Sequence, residues 1–246
     1  MHTEIKMAGL TIAVEHNFKN IDGAPKKFKN DGDKVDFTVS VTEDDIAFER
    51  VKMAKEEEAE GLPARSYSSS ELEFTAIYRK IAEKLPEYDA FVFHGAVVAV
   101  GDEAYIFAAK SGVGKTTHIG LWLKNVPNSF VVDGDKPIIR LIENKPFVCG
   151  TPWNGKEKLG TNAIVPLKAI CLLARGKENC IEKIPFSEAL PVLIEQSYRP
   201  TGRKSLVKTL SDIKTVGLQT DFYKLYCNMD DEAAIVSYGE MANDEF

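Results

Sequence analysis

Cysteine is scarce and scattered. The four residues Cys149, Cys171, Cys180 and Cys227 form no Cys-x-x-Cys pair and have no histidines near them at zinc spacing, so the usual zinc-binding arrangements are excluded. Cys149 and Cys171 lie in apolar surroundings and read as buried filler. Long hydrophobic runs are lacking as well. The most apolar stretch, Phe91 to Val100, is interrupted by His94 and Gly95 and followed by Gly101-Asp102-Glu103, which is too short for a spanning helix. The first residues, Met-His-Thr-Glu-Ile-Lys, lack a signal-peptide pattern, which makes the cytoplasm the expected compartment. Positive charge is not in excess: the net charge is −6, which argues against nucleic acid as a general partner. No internal repeat and no low-complexity segment occurs.

What is present is ordinary in bulk and unusual in one place. With 246 residues, 44% hydrophobic and 28% charged, the chain can bury a full core. Its centre is Ala104 to His118, where the apolar run Tyr105-Ile106-Phe107 stops at a loop ending in Gly114-Lys115-Thr116 and a helical-looking stretch, Ile119 to Leu123, follows. This reads as strand, phosphate loop, helix. Gly112 and Gly114 let successive backbone N–H groups curl around an anion, and the helix N-terminus adds partial positive charge at the same point. The expected nucleotide contacts are Ser111, Gly112, Val113, Gly114, Lys115, Thr116 and Thr117, with Lys115 supplying a mobile charge and Thr116 a hydroxyl for Mg²⁺. The usual first glycine of such loops is Ala109 here, and a plain glycine-rich turn is the competing reading.

In chain order, Gly9 to His16 and Phe37 to Thr42 alternate as strands. Asp44 to Gly61 is charge-dense and reads as a solvated helix or a mobile excursion. Ser70 to Glu73 has the form of a capping box, opening a helix that runs to Leu85 and stops at Pro86. Phe91 to Val100 and Glu103 to Ala108 predict a hairpin that carries His94 on its first strand and delivers the chain into the loop. After the loop helix, Ser129 to Arg140 is a strand ending in Asp133 and Asp135, followed by a second short strand; the acidic pair suits a metal or an acceptor hydroxyl, although Asp133-Gly134 also has the form of a turn. Phe147 to Gly160 takes an irregular path past Trp153 and Lys156, and a lysine there can neutralise a transferring phosphoryl group. Pro166 to Ala174, Ile181 to Pro185 and Phe222 to Cys227 read as strands, and Ser187 to Gln196, Ser205 to Val216 and Ala233 to Met241 as helices.

These residues resemble the HPr kinase/phosphorylase and phosphoenolpyruvate carboxykinase superfamily. The loop Ser111 to Thr116 follows His94-Gly95 and precedes Val132 to Asp135, in the family's order. A bacterial HPr kinase-like branch is more similar still, in Gly112 to His118, Asp135-Lys136-Pro137, Thr151 to Lys156 and Pro166 to Ile170; the likeness spans residues 70 to 241. The resemblance implies an α/β P-loop kinase with a mixed β-sheet core and flanking helices. A β-rich region, 1–66, would pack on a nucleotide-binding domain, 67–246. The family's adjacent Asp-Asp is split here by Gly134, and the Leu-Glu-Ile-Arg-Gly-like signature of true HPr kinases is missing, which argues against HPr as substrate.

The expected activity is Mg²⁺-dependent transfer from ATP or ADP to a hydroxyl of a small metabolite. Asp135 or Asp133 is the expected base, Thr116 and Asp135 the metal ligands, and Lys115, His94 and Lys156 assist. Rival readings are a protein serine kinase, carboxykinase-like chemistry on an oxaloacetate-type acid, and a nucleotide sensor without catalysis. A homo-oligomer is compatible with the resemblance, and no membrane partner is expected.

Overall fold

The computed structural model describes residues 1–18, 26–30, 32–59, 61, 63–110, 112–155 and 159–242. The chain divides into two compact units, Met1–Lys84 and Leu85–Phe246.

In the first unit, β1 (His2–Met7) and β2 (Leu10–Glu15) pair antiparallel, and β3 (Phe37–Ser40) joins β2 in parallel. Two helices follow, α1 (Glu43–Ala59) and α2 (Ser69–Lys84). The charge-dense segment is thus a helix. It buries Ile46 together with Glu49 and Glu57, so charge holds it as much as apolar contact does. Arg79 of α2 pairs with Asp45 at 3.0 Å and with Glu49, and Lys80 reaches Asp45 at 2.7 Å. The capping box lies two residues ahead of the expected one. Ser68 and Glu71 exchange N–H bonds at 2.8 and 3.2 Å, while the Glu73 carboxylate, fully buried, accepts the N–H groups of Asn17 and Phe18. Helix α2 therefore belongs to the first unit, although the sequence places it with the nucleotide-binding domain.

The second unit is built on a nine-stranded mixed sheet. Its strands are β4 (Ala90–Val92), β5 (Ala96–Val100), β6 (Glu103–Ala108), β7 (Ser129–Asp133), β8 (Ile138–Ile142), β9 (Lys145–Cys149), β10 (Ile164–Arg175), β11 (Cys180–Ile184) and β12 (Asp221–Cys227). Its helices are α3 (Lys115–Asn125), α4 (Phe186–Gln196), α5 (Arg203–Gly217) and α6 (Glu232–Met241). The twelve-residue β10 is the hub: it pairs antiparallel with β9 and parallel with both β6 and β12. Side chains alternate along β6. Tyr105 and Phe107 join a core with Trp122, Ile119 and Leu225, while Ala104, Ile106 and Ala108 join one with Leu193, Ile213 and Phe222.

One expectation is corrected here. The run 91–100 is two strands, because the chain breaks at His94-Gly95: β4 pairs with β8, and only β5 forms the hairpin with β6. A Cβ at Gly95 would stand 3.0 Å from the Ile106 side chain, so the crossing needs glycine. His94 accordingly lies between strands. Nor is Asp133-Gly134 a hairpin turn, since β7 pairs with β5 and β8 with β4 and β9.

Candidate functional site

Strand β6 ends at Ala108 and α3 begins at Lys115, with the loop between them. Gly112 and Gly114 take φ of 78° and 124°, values that side chains rarely adopt, so the loop's path depends on both glycines. Neither has any atom within 4 Å of where a Cβ would sit; conformation, not crowding, requires them. Lys115 donates from Nζ to the Ala109 carbonyl at 2.9 Å. Burial lowers the ammonium below its ordinary value, and the charge of Asp135 opposes that shift. On the far side of the loop, Arg175 at the end of β10 donates to the Gly112 carbonyl at 2.7 Å. The parallel pairing of β10 with β6 brings these two strand ends together.

The acidic pair divides into an inward and an outward member. Asp133 has no solvent exposure. Its Oδ1 accepts the N–H groups of Asp135 and Lys136 at 2.9 and 2.8 Å, and its Oδ2 accepts the N–H and the hydroxyl of Thr151 at 2.8 and 3.0 Å. Burial pushes the Asp133 carboxyl up to about 6, and the four donors act the other way, favouring the carboxylate. Its role is to shape the turn that presents Asp135. A register shift between Val97 and Val98 in the β5–β7 pairing adds one residue to β7 just before Asp133, as bulges do where a strand re-aims a side chain.

Asp135 stands about one third exposed, with Oδ1 at 3.4 Å from His94 Nε2. Burial alone would raise its carboxyl, but the His94 hydrogen bond and the charges of Lys136, His94 and Lys115 outweigh burial and hold it below its ordinary value. The backbone fixes the pair: the His94 N–H donates to the Gln196 carbonyl at 2.7 Å, and the Gly95 N–H to the Asp135 carbonyl at 3.1 Å.

An open cavity of about 500 Å³ collects these parts. His94, Gly112, Gly114, Lys115, Thr116, Thr117 and Asp135 all line it. Val113 lines a neighbouring cavity, and Asp133 lines neither. Ser111 and Lys156 lie outside the described residues.

Two features were not read from the sequence. Asn154, almost fully buried, also lines the cavity, and space for it is cleared by glycines: a Cβ at Gly134 would meet its carbonyl at 2.7 Å, and one at Gly160 its side-chain amide at 2.7 Å. The cluster of Gly134, Gly155 and Gly160 around a Thr-Pro-Trp-Asn segment is the signal that could have found it. Arg175 is the other. Its role follows from strand pairing, which local pattern does not disclose.

Thr116 and Asp135 supply oxygen donors to one cavity, as Mg²⁺ prefers, and this cation is commonly held by one or two protein oxygens plus phosphate. Among the described residues no cluster of three or more His, Cys, Asp or Glu could hold a metal without such a ligand. None of the described helices is long and apolar enough to cross a membrane.

No family model matches the chain, and no curated protein matches it. Among solved structures, the HPr(Ser) kinase/phosphatase from Coxiella burnetii is similar over 61% of this chain and 96% of that one, with 6% sequence identity and a TM-score of 0.35, a loose likeness of fold.

Proposed function

We propose that this chain is a Mg²⁺-dependent kinase that moves a phosphoryl group from ATP or ADP to a hydroxyl of a small metabolite such as an amino acid, sugar or polyol. One observation carries the reading: Gly112, Gly114, Lys115, Thr116 and Thr117 and the His94–Asp135 pair, apart in sequence, line the same cavity. Its volume of about 500 Å³ suits a small ligand. In this reading the mixed sheet is that of a P-loop kinase of the HPr kinase and phosphoenolpyruvate carboxykinase type, with β6 between antiparallel β5 and parallel β10.

The loop N–H groups and Lys115 hold the phosphates, so that much of the catalysis is positioning and charge neutralisation. Mg²⁺, held by Thr116 and Asp135, would supply further neutralisation of phosphate charge. The acceptor oxygen forms a bond to the terminal phosphorus as the bond from that phosphorus to the bridging oxygen breaks. The hydroxyl proton passes to the Asp135 carboxylate, which His94 orients. Asp133 is a positioning residue. Lys156 is assigned to the transferring group from its place in the segment Thr151 to Lys156.

The test offers purified protein, Mg²⁺ and terminally labelled ATP or ADP to a metabolite pool and, separately, to a protein extract. Label is expected in one small molecule, and Lys115→Ala is expected to lose that transfer entirely with an unchanged circular dichroism spectrum. Label in a polypeptide would replace the proposal with a protein serine kinase. Nucleotide binding without label in either pool would leave a sensor.

A further inference from the structure

Helix α1 carries apolar side chains on two opposite sides. Ile46 and Glu49 are buried on the side that meets α2, where Arg79 pairs with Asp45 at 3.0 Å and with Glu49. On the other side Phe48 is 53% exposed and Val51 55%, one helical turn apart. The Arg79 guanidinium stands 4.7 Å from the centre of the Phe48 ring and steadies it at the surface. An open groove of about 340 Å³ runs beside them, bordered by Phe48, Val51, Lys52, Lys55, Glu56 and Ala59. Single exposed apolar residues are common, but two neighbours bordering a groove mark a contact surface.

The residues of that outer side, Asp44, Phe48, Val51 and Lys55, recur at intervals of four, three and four. This is the spacing at which one helix meets another along a seam. Asp44 and Lys55 are both exposed, and among the described residues neither takes part in an ion pair, whereas the neighbouring Lys52 reaches Glu56 at 3.8 Å. The order along the seam is acid, apolar, apolar, base, which is complementary to its own reverse. Two copies of α1 laid antiparallel, with the two-fold axis midway between Phe48 and Val51, set Phe48 against Val51 twice and Asp44 against Lys55 twice. Laid parallel, they would set Asp44 against Asp44 and Lys55 against Lys55, so charge selects the antiparallel arrangement.

We propose that the outer face of α1 is a two-fold contact between two copies of this chain, packed as an antiparallel helix pair. The Phe48 ring of each copy enters the groove beside Val51 and Lys55 of the other, and the aliphatic stems of Lys52 and Lys55 cover its edges while their charges stay in water. From Asp44 to Lys55 the seam is about 17 Å long at the helical rise per residue. A contact of that length is small, so the copies associate reversibly, in the micromolar range or more weakly. It lies wholly within the first unit, Met1–Lys84, and is independent of the kinase reading.

Sedimentation equilibrium of the full chain between about 1 μM and about 1 mM tests this. The average mass is expected to climb from that of one chain toward that of two. Val51→Glu, at a position more than half exposed, is expected to weaken association at least about tenfold with an unchanged circular dichroism spectrum. Two-fold symmetry enters each charge change twice, so Asp44→Lys and Lys55→Asp are each expected to weaken it at least about fivefold. Both changes in one chain re-form the pairs with their signs exchanged and are expected to bring the affinity back to within about threefold of the wild type, a recovery that damage to the fold could not give. The mass of a single chain throughout the range overturns the proposal, and so does an α1 that binds only a different protein. A dimer that ignores Val51→Glu and both reversals has its contact elsewhere and overturns it too. Failure of the double reversal to recover overturns the antiparallel pairing.

Discussion

At the scale of single residues, the two aspartates illustrate how burial divides labour between like groups. Asp133 spends both oxygens on the protein and Asp135 spends one on His94, so the same substitution is expected to act differently at each. Asp133→Asn turns an amide NH₂ toward existing donors and is expected to cost about 1–3 kcal/mol of stability, read from urea unfolding, with a secondary fall in phosphoryl transfer. Asp135→Asn is expected to abolish transfer and leave the unfolding free energy within about 0.5 kcal/mol of the wild type, as changes at partly exposed sites usually do. Equal loss of stability in the two would refute this division. The sequence supplied both candidates and their order around Gly134. It did not disclose which one turns inward, because that depends on the added residue in β7 and on Thr151, a partner eighteen residues downstream. Loop glycines were legible for the opposite reason: a positive φ is a local demand, and only glycine meets it cheaply at 124°.

At the scale of elements, legibility followed the strength of the local pattern. The helices α2 to α6 and the strands β6, β10 and β12 carry clear periodicity or apolar runs. The strands β1 and β9 escaped notice, and β4 and β5 were read as one, because their pairing partners rather than their own residues define them. Helix α1 is the instructive case, since ion pairs hold it alongside apolar contact. Burial alone would raise the Asp45 carboxyl, but bonds from Lys80, Thr42 and Arg79 outweigh burial and hold it far below the ordinary carboxylate value. A depressed carboxylate contributes stability that is fully present above its unfolded value of about 3.9 and is lost as pH falls through the folded one. Acidification from pH 7 to pH 3 is therefore expected to reduce the hydrogen-exchange protection of α1 and α2. Asp45→Asn is expected to lower that protection at pH 7 and to flatten its pH dependence. A variant that kept the wild-type acid response would show that the Arg79–Asp45 and Lys80–Asp45 pairs do not govern these helices.

At the scale of the whole molecule, charge and topology set the terms. With a net charge of −6 the chain should avoid polyanions, because the phosphate binding proposed for the loop Gly112 to Thr117 would recognise one phosphate chain by geometry and not by an extended basic face. It is expected to pass a heparin column unretained at about 0.1 M salt, where counterion-driven binding would be strong; retention would expose a basic surface that the total conceals. Topology bears on how the protein is made. The loop rests on β6, whose parallel neighbour β10 lies far downstream, and β12 later still. On the ribosome, every residue lining the first cavity emerges before β10 is available to brace the strand beneath it, and non-local pairings of this kind form late. On the kinase reading proposed above, a nascent chain stalled short of Cys227 should therefore be unable to capture nucleotide, so that nucleotide would act as a seal on finished protein and not as a guide to its folding.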